Sequence, residues 1–194
     1  MRQAILDTAR QMFLRSENPN DVSIDEVVKA VGCTPPALYY YFATKNALLH
    51  EVAKQLLAEF LAGVEPDSDA SLSQQLQQRG SRYVRWAMEN PNEFRLVFMN
   101  PDVTSGSGDP SGIPGMKGLM DDVAAACEVG LIDGDPQTVA VNMWAIVHGF
   151  AALQVSGFLP AEAVSHGFHY GTGLMFPKLA ADAQKMSERV RIAP

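Results

Sequence analysis

Three consecutive tyrosines, at positions 39–41, are the clearest sign of a binding surface in this sequence. They lie between Leu38 and Phe42, which are four residues apart and can therefore share the buried face of a short helix. At least two of the three rings must then be exposed, and adjacent exposed aromatic rings favour a partner. Tyrosine hydroxyls donate well to phosphate, and the rings can contact thymine methyl groups. Together with Lys45, the segment predicts contact with nucleic acid, and aromatic packing between two helices is the alternative.

A second candidate site contains Trp144 and His148, four residues apart in a long apolar segment. The pair fits a core tryptophan packed on a histidine, the wall of a ligand pocket with a polar group, or a catalytic histidine. Nucleophilic catalysis has little support, because no serine or cysteine at a nucleophile elbow accompanies the pair. His166 and His169 could ligate a metal by their spacing, but two isolated histidines are more often structural or exposed. We therefore expect no metal site and no cofactor.

The tyrosines are expected to be positioned by two preceding helices. Apolar residues recur at helical spacing over 3–15 and again over 23–31. Ser23 and Glu26 can form a capping box at the start of the second helix, because the serine hydroxyl can accept from the Glu26 amide while the glutamate side chain reaches back. This second helix is the most strongly marked element of the sequence.

A tight turn joins the second helix to the tyrosine-bearing helix, which is predicted over 35–42. Gly32 ends the second helix, and Thr34 is expected to cap the third, with Pro35 at its first position, where no amide hydrogen is needed. Two helices joined by a short turn that contains glycine form a helix-turn-helix unit. The second helix of such a unit lies in the DNA major groove, with its N-terminal residues at the base edges.

The rest of the chain also has helical periodicity, so the predicted fold class is all-α. A fourth helix is predicted from Lys45 to about Leu61, and the segment 64–70 has the composition of a linker. The stretch 100–115 is rich in Gly, Pro and Ser and is expected to be a long loop. Further helices are predicted at about 71–87, 91–98, 116–129, 136–156 and 160–176. The expected divisions are a helix-turn-helix domain over 1–45, a connecting helix over 46–63 and a helical C-terminal domain over 64–194.

Composition excludes several classes of protein. The 194 residues are 47% apolar and carry a formal net charge of −7, so the chain can bury a core and is not broadly basic. Residues 1–62 hold six basic and seven acidic side chains, and the segment 27–50 has two lysines and no acid. Two cysteines cannot form a disulfide framework. No signal-peptide pattern and no run of 18 apolar residues is present, so we expect a cytoplasmic protein without a membrane span.

Residues 32–48 (Gly-Cys-Thr-Pro-Pro-Ala-Leu-Tyr-Tyr-Tyr-Phe-Ala-Thr-Lys-Asn-Ala-Leu) resemble the signature of the tetracycline-repressor (TetR) family. The resemblance extends over about residues 2–50, with departures at Cys33, where Val is usual, at Pro36, where Gly or Ala is usual, and at Tyr41, where His is common. It implies that the helix-turn-helix unit binds DNA. The expected DNA-contacting residues are Ser23, Thr34, Pro35, Pro36, Tyr39, Tyr40, Tyr41 and Lys45.

The segment from Trp144 to Phe150 resembles a Trp-His-Gly type of regulatory domain within the same family. This resemblance names no effector. The C-terminal domain is rich in large apolar side chains and poor in charges that could be buried, so we expect a small, mostly apolar effector that is uncharged or weakly polar. The last two long helices are too apolar for lone surface helices and are expected to form a homodimer. The expected effector pocket consists of side chains from four predicted helices, namely Trp86, Phe94, Phe98, Met120, Trp144 and His148.

The sequence thus predicts a sequence-specific transcriptional regulator that is not an enzyme, a repressor released from a palindromic operator by its ligand. That the regulator represses, and does not activate, transcription is implied by the resemblance to the TetR family and not by the residues themselves. One alternative is a small helical enzyme or cofactor-binding protein whose N-terminal bundle is only a scaffold. That reading needs a paired acid and base or a metal constellation, and the sequence offers neither. A second alternative, a protein-interaction module, leaves the exposed tyrosines beside Lys45 without explanation.

Overall fold

A computed structural model describes residues 1–16, 18–104, 115–179 and 181. Within these ranges the chain forms helices joined by turns and contains no β-strand, which confirms the predicted all-α fold. A 3₁₀ turn spans Pro19–Asp21, and helix α6 continues as a π-helical turn over Arg95–Met99. The α-helices are α1 Arg2–Arg15, α2 Ile24–Val31, α3 Pro35–Tyr41, α4 Lys45–Val64, α5 Leu72–Glu89, α6 Pro91–Phe94, α7 Pro101–Thr104, α8 Met116–Glu128, α9 Pro136–Val155 and α10 Ala161–Met175.

The chain divides into two compact units. The N-terminal unit is Met1–Glu59 with Asn90–Ser105, and the C-terminal unit is Phe60–Glu89 with Gly106–Pro194. The division falls inside α4, so this helix contributes residues to both units. The sequence predicted a contiguous N-terminal domain, whereas the structure adds a segment from the middle of the chain to it. The expected long loop over 100–115 begins with the short helix α7, and its residues 105–114 lie outside the described residues.

The N-terminal unit has one hydrophobic core to which helices α1 to α4 and the π-helical turn all contribute. Each helix supplies an apolar stripe at the spacing seen in the sequence, so burial of the stripes holds the helices together. The core residues include Ile5, Leu6, Ala9, Phe13, Val27, Val28, Leu38, Phe42, Leu48, Leu49, Val52, Leu56, Leu96 and Val97.

Local capping interactions define the helix-turn-helix segment. The Glu26 amide donates to Ser23 Oγ over 3.1 Å, and the Ser23 amide donates to Glu26 Oε2 over 2.9 Å, so the predicted capping box is present. Gly32 ends α2 in the left-handed conformation, at φ +73°.

Thr34 stands at the N-cap of α3, but the expected capping hydrogen bond of its side chain is absent. An N-cap oxygen normally accepts from the second or third residue of the helix. Pro36 occupies the second position and has no amide hydrogen, which leaves only the Ala37 amide as a donor. The prediction that the Thr34 side chain caps α3 was therefore wrong.

The C-terminal unit is built around α9, which packs against α5, α8 and α10. Asp135 begins this helix, because its carboxylate accepts from the Thr138 amide over 2.8 Å, a bond that also lowers the pKa of Asp135. Ser71 and Gln74 form a second capping box at the start of α5. One cluster of buried core residues in this unit consists of Leu76, Met116, Val123, Ala126, Ile132, Ala140 and Phe176.

Among the described residues, Pro136–Val155 is the one helix whose length and apolar composition would allow it to cross a membrane. The sequence predicted no membrane span, since it has no unbroken run of 18 apolar residues. The signal is weak, because core helices of globular domains pass the same test, and α9 packs against three other helices.

The conformation of Gly32 yields the first testable prediction. Gly32→Ala is expected to destabilise the protein by about 1–2 kcal/mol, because L residues are strained in the left-handed region. A Cβ at this position would meet nothing within 4 Å, so the loss is conformational and not steric. Gly32→Asn is the matched control and should lose less, since asparagine tolerates this conformation better. Urea unfolding followed by circular dichroism measures both variants, and equal losses would contradict the prediction.

Candidate functional site

Helix α3 presents its three tyrosines to solvent. Leu38 is fully buried and Phe42 is nearly so, and these two side chains anchor the helix in the core of the N-terminal unit. The exposed fractions of Tyr39, Tyr40 and Tyr41 are 48%, 83% and 40%. The rings of Tyr40 and Tyr41 meet edge to face, with centroids 5.1 Å apart. Thr34, Pro35 and Pro36 at the start of α3 are exposed as well, so the N-terminal end of the helix can reach a partner.

Lys45 and Ser23 are held by neighbouring groups of the same unit. The Lys45 ammonium donates to the main-chain carbonyl of Asn20. Since an ammonium has three donors, this bond leaves two for another acceptor. The Ser23 hydroxyl is engaged with Glu26 on both its donor and its acceptor side. The backbone and side-chain hydrogen bonds from Ser23, with a smaller contribution from Lys45, lower the pKa of Glu26, so a carboxylate stands beside Ser23 at neutral pH.

Two arginines of the N-terminal unit are already paired with acids. Arg2 Nη2 lies 2.7 Å from Glu51 Oε2, and its guanidinium sits 5.2 Å from the centre of the Phe42 ring. Arg10 Nη2 donates to Glu59 Oε2 over 2.7 Å. Lys29 is exposed, and no described residue forms an ion pair with it. The positive field near the tyrosines is therefore modest, and hydroxyls and helix ends must supply much of any phosphate binding.

The C-terminal unit contains a cavity of about 460 Å³ among its described residues. This volume lies within the range of about 300–1,000 Å³ that is usual for small-molecule sites. Aromatic and aliphatic side chains make up most of the wall, with a few polar groups from α5 and α10. Representative lining residues are Phe60 and Val64 of α4, Leu76, Gln77, Arg79 and Tyr83 of α5, Met116 and Leu119 of α8, Met143, Trp144 and Val147 of α9, and Phe168, His169 and Thr172 of α10.

Of the six side chains expected to form the pocket, Trp144 lines this cavity. Trp86 packs edge to face on Phe60, with ring centroids 5.1 Å apart, and Met120 is partly buried against the core of the same unit. Phe94 and Phe98 belong to the N-terminal unit, where their rings lie 5.2 Å apart.

His148 lies next to the cavity wall and is hydrogen-bonded to it. Its Nδ1 atom is 2.8 Å from the hydroxyl of Tyr83, and its ring stacks on Trp144 at 4.9 Å. Burial raises the pKa of Tyr83 and lowers the pKa of His148, so both groups are neutral at pH 7. The indole N–H of Trp144 lies near the Tyr83 oxygen and opposes the rise of its pKa, but it makes no hydrogen bond of normal geometry.

Arg79, Tyr83 and Met116 line the cavity but were not among the site residues predicted from the sequence. A signal for the first two was present, because Leu76, Arg79 and Tyr83 follow the spacing of one helix face that is otherwise apolar. A charged residue on such a face is a candidate for a buried, paired group. Met116 carries no comparable signal, since methionine at the start of a helix is unremarkable. Within the described residues, no group of three or more His, Cys, Asp and Glu side chains is placed to hold a metal ion.

An N-terminal helix-turn-helix unit combined with a helical unit that encloses a cavity is typical of one-component regulators, in which one chain joins a DNA-binding and a sensing part. Two family models match this chain. Residues 5–52 match the model described as bacterial regulatory proteins, tetR family, and residues 76–171 match the tetracyclin repressor-like C-terminal domain. The protein belongs to the tetR family of helix-turn-helix transcriptional regulators.

The chain is also similar to a curated protein and to solved structures. An uncharacterised HTH-type transcriptional regulator of Haemophilus influenzae is 29% identical over 99 residues, which cover 47% of this chain and only about half, 53%, of that protein. A protein of unknown function from Rhodococcus sp. RHA1 has a TM-score of 0.73 at 21% identity, covering 92% of this chain and 95% of that one.

Two further solved structures have the same fold. A tetR-family transcriptional regulator from Pectobacterium atrosepticum has a TM-score of 0.66 at 22% identity, covering 90% of this chain and 91% of that one. A TetR variant from Acinetobacter baumannii AYE, in complex with minocycline, has a TM-score of 0.60 at 17% identity and covers 98% of both chains.

Burial of His148 generates a prediction about pH. The ordinary pKa of histidine is 6.5, and burial lowers it in the folded protein. The unfolded chain therefore binds more protons as the pH falls through 6.5, and stability that is present above that pH is lost below it. His148→Gln should flatten the dependence of the urea midpoint on pH between 7 and about 5.

The matched control is His50→Gln, which changes an exposed histidine of the N-terminal unit. This variant should keep the wild-type slope in the same pH interval. The carboxyls whose pKa is lowered, Glu26, Asp67 and Asp135, have ordinary values of 4.5 or 3.8 and act at lower pH. An unchanged slope in His148→Gln would contradict the assignment.

Proposed function

We propose that this protein is a ligand-released repressor that binds a palindromic operator as a homodimer. The observation that carries the proposal is the exposure of Tyr39, Tyr40 and Tyr41 on α3, the second helix of the helix-turn-helix pair. Because Leu38 and Phe42 fix the rotation of α3, the tyrosines form one outward surface. The proposed DNA-contacting residues are Ser23, Thr34, Pro35, Pro36, Tyr39, Tyr40, Tyr41 and Lys45.

The N-terminal end of α3 and Lys45 are proposed to contact different parts of the DNA. Thr34, Pro35 and Pro36 are at the N-terminal end of α3, which approaches the base edges in a helix-turn-helix complex. Pro35 and Pro36 have no amide hydrogens, so the backbone at this end of α3 offers fewer hydrogen-bond donors to DNA. The tyrosine rings and hydroxyls must therefore supply more of the binding. Lys45, with two ammonium hydrogens left after its bond to Asn20, is the proposed contact to the phosphate backbone.

Replacement of the exposed tyrosines tests the DNA-binding surface. Tyr39→Ala and Tyr40→Ala are each expected to weaken specific binding by about 1–3 kcal/mol, because a base or phosphate contact is lost. Fluorescence anisotropy with an operator selected from a random duplex pool measures the dissociation constants.

The phenylalanine variants at the same two positions are the matched controls. They keep the ring and remove only the hydroxyl, so they separate stacking on thymine methyl groups from donation to phosphate. Wild-type affinity in both alanine variants would show that α3 is not the recognition helix.

The proposed dimer surface consists of the exposed sides of α9 and α10. Phe158, Tyr170, Leu174 and Met175 are large apolar side chains that are more than half exposed, and Leu153 is nearly as open. Dimers are typical of the family, and a self-complementary apolar face suits a two-fold axis.

Glycines allow close approach of a second chain on this surface. A Cβ added at Gly149, Gly171 or Gly173 would meet nothing within 4 Å, whereas one at Gly167 would lie 2.8 Å from the Phe150 ring. Gly149 and Gly171 thus leave open space beside α9 and α10, whereas Gly173 lines the cavity and Gly167 serves packing within the C-terminal unit.

Introduction of a charge into this surface is expected to separate the protomers. Leu174→Glu should raise the dimer dissociation constant by at least about thirtyfold, the effect of losing one interface anchor of roughly 2 kcal/mol. Sedimentation equilibrium at micromolar concentration measures the constant. Val129→Glu is the control, because it makes the same kind of change at an exposed apolar residue after α8. A dimer of unchanged affinity in Leu174→Glu would place the interface elsewhere.

The proposed effector site is the cavity of the C-terminal unit. Its volume and mostly apolar wall suit a small molecule, and the fold resembles that of the minocycline complex described above. An effector releases the protein from DNA only if it binds more tightly to the conformation that cannot bind DNA than to the conformation that can. Stacking of Trp144 on His148 supports a Trp-His-Gly type of regulatory domain, which stays a prediction.

The domain limits 1–45, 46–63 and 64–194, the cytoplasmic location and the absence of enzymatic activity are also proposals. The separate matches at 5–52 and 76–171 support a division into an N-terminal DNA-binding part and a C-terminal part. A binding selection against random duplexes separates a regulator from a helical enzyme with a scaffold bundle, since only the regulator enriches a single sequence.

A further inference from the structure

We propose that the cavity of the C-terminal unit binds an apolar monocarboxylate, whose carboxylate replaces Glu65 on the guanidinium of Arg79. The inference rests on the proposed function, in which this cavity is the effector site, and it replaces the sequence expectation of an uncharged effector. The observation that carries it is a nearly buried arginine side chain in the wall of a mostly apolar cavity. Only 11% of the Arg79 side chain is exposed.

The two acids that contact Arg79 hold it with unequal strength. Asp122 Oδ2 accepts from Nε over 2.9 Å and lies 2.8 Å from Nη2, and 17% of the Asp122 side chain is exposed. Glu65 Oε2 lies 3.4 Å from Nη1, and 68% of the Glu65 side chain is exposed. Charge-assisted bonds are normally about 2.7–2.9 Å long, so the Glu65 contact is weak. Asp122 is the permanent partner, and Glu65 is the exchangeable one.

Gly118 allows the guanidinium to lie against α8. A Cβ at this glycine would stand 3.3 Å from both Nη1 and Nη2, which is closer than nearly all real contacts of a Cβ. The absence of a side chain at Gly118 therefore leaves room for the guanidinium in this position. Nε and Nη2 are bound to Asp122 on one edge, which fixes the direction of the group, and Nη1 has only the distant contact with Glu65.

Charge balance favours a monocarboxylate over other ligands. Arg79 and Asp122 compensate each other, and Glu65 adds a negative charge that is mostly in water. A ligand carboxylate on Nη1 would keep the total charge around the guanidinium unchanged, while Glu65 returns to solvent at little cost because exposed pairs are weak. A neutral hydroxyl brings no charge to replace that of Glu65, and a cation would be repelled by Arg79. The apolar body of the ligand would fill the space between Leu76, Met116, Leu119 and Phe168.

Calorimetric titration with matched probes tests the proposal. The full chain is titrated with the linear carboxylates from octanoate to tetradecanoate and with the alcohols of the same lengths, below their aggregation concentrations. The best carboxylate should bind at least roughly tenfold more tightly than its alcohol, the difference expected from one charge-assisted contact. Equal affinities, or no binding by any probe, would overturn the proposal.

Glu65→Gln is the decisive variant, because it changes an exposed side chain and leaves the cavity wall intact. Removal of the competing carboxylate should tighten carboxylate binding by roughly three- to tenfold and leave alcohol binding unchanged. Glu128→Gln, an exposed acid at the end of α8, is the matched control and should change neither probe. Unchanged or weaker carboxylate binding in Glu65→Gln would overturn the proposal.

A double variant addresses the guanidinium itself without leaving a buried charge unpaired. Arg79→Gln with Asp122→Asn should abolish the preference for carboxylate over alcohol and retain alcohol binding. If this variant does not fold by circular dichroism, the sign of the Glu65→Gln effect decides the matter. Operator binding without any probe is measured in parallel. A wild-type protein that binds operator but shows no carboxylate preference refutes this inference alone, whereas failure to bind operator refutes the proposed function.

Discussion

Burial of Leu38 and Phe42 is the constraint on which the N-terminal unit depends. Helix α3 has only seven residues, so one buried stripe determines the direction of every other side chain on it. Each of these two side chains contributes roughly 1.5–3 kcal/mol when it is fully buried, which is ample to fix the rotation of so short a helix. The tyrosines between them are exposed for this reason, not because their own chemistry places them in water.

The C-terminal unit is shaped by pairing of the polar groups that its packing buries. Arg79 is neutralised by Asp122, and the Tyr83 hydroxyl is bonded to His148, so these two polar groups of the cavity wall have partners before any ligand arrives. Unpaired groups at these places would cost several kcal/mol each. Pairing also means that a ligand which binds either of these two groups must displace an existing partner. Selectivity then depends on which partner is held least firmly, and the long contact between Glu65 and Arg79 is the weakest of those bonds.

Features that depend on neighbouring residues could be predicted from the sequence. The capping residues Ser23, Ser71 and Asp135 and the left-handed Gly32 place helix ends within a residue or two of those observed. Exposure of the tyrosines also followed from spacing alone. The Thr34 cap failed for an equally local reason, since Pro36 removes one of the two amides from which its side-chain oxygen would normally accept a hydrogen bond.

Features that depend on tertiary packing could not be predicted in the same way. Phe94 and Phe98 have the same apolar periodicity as the cavity residues, and nothing local tells which unit they join. Helix α9 is apolar on nearly every side, so its periodicity does not identify the face that lines the cavity. Arg79 was missed because a basic side chain on a helix is normally exposed, and only the position of Asp122 on another helix makes its burial possible.

The faces of α9 explain why this helix is apolar all round. Met143, Trp144 and Val147 line the cavity, while the side that carries Ala145, Gly149 and Leu153 is exposed or open. Under the proposed function, one rigid helix therefore contacts the ligand on one face and the second protomer on another. A ligand that rotates or shifts α9 must change the geometry of the dimer interface. Because such coupling is reciprocal, a change in the geometry of the dimer must also change the affinity for the ligand. The long apolar helix couples the two sites because both depend on its position, and a polar stripe along it would have removed one of them.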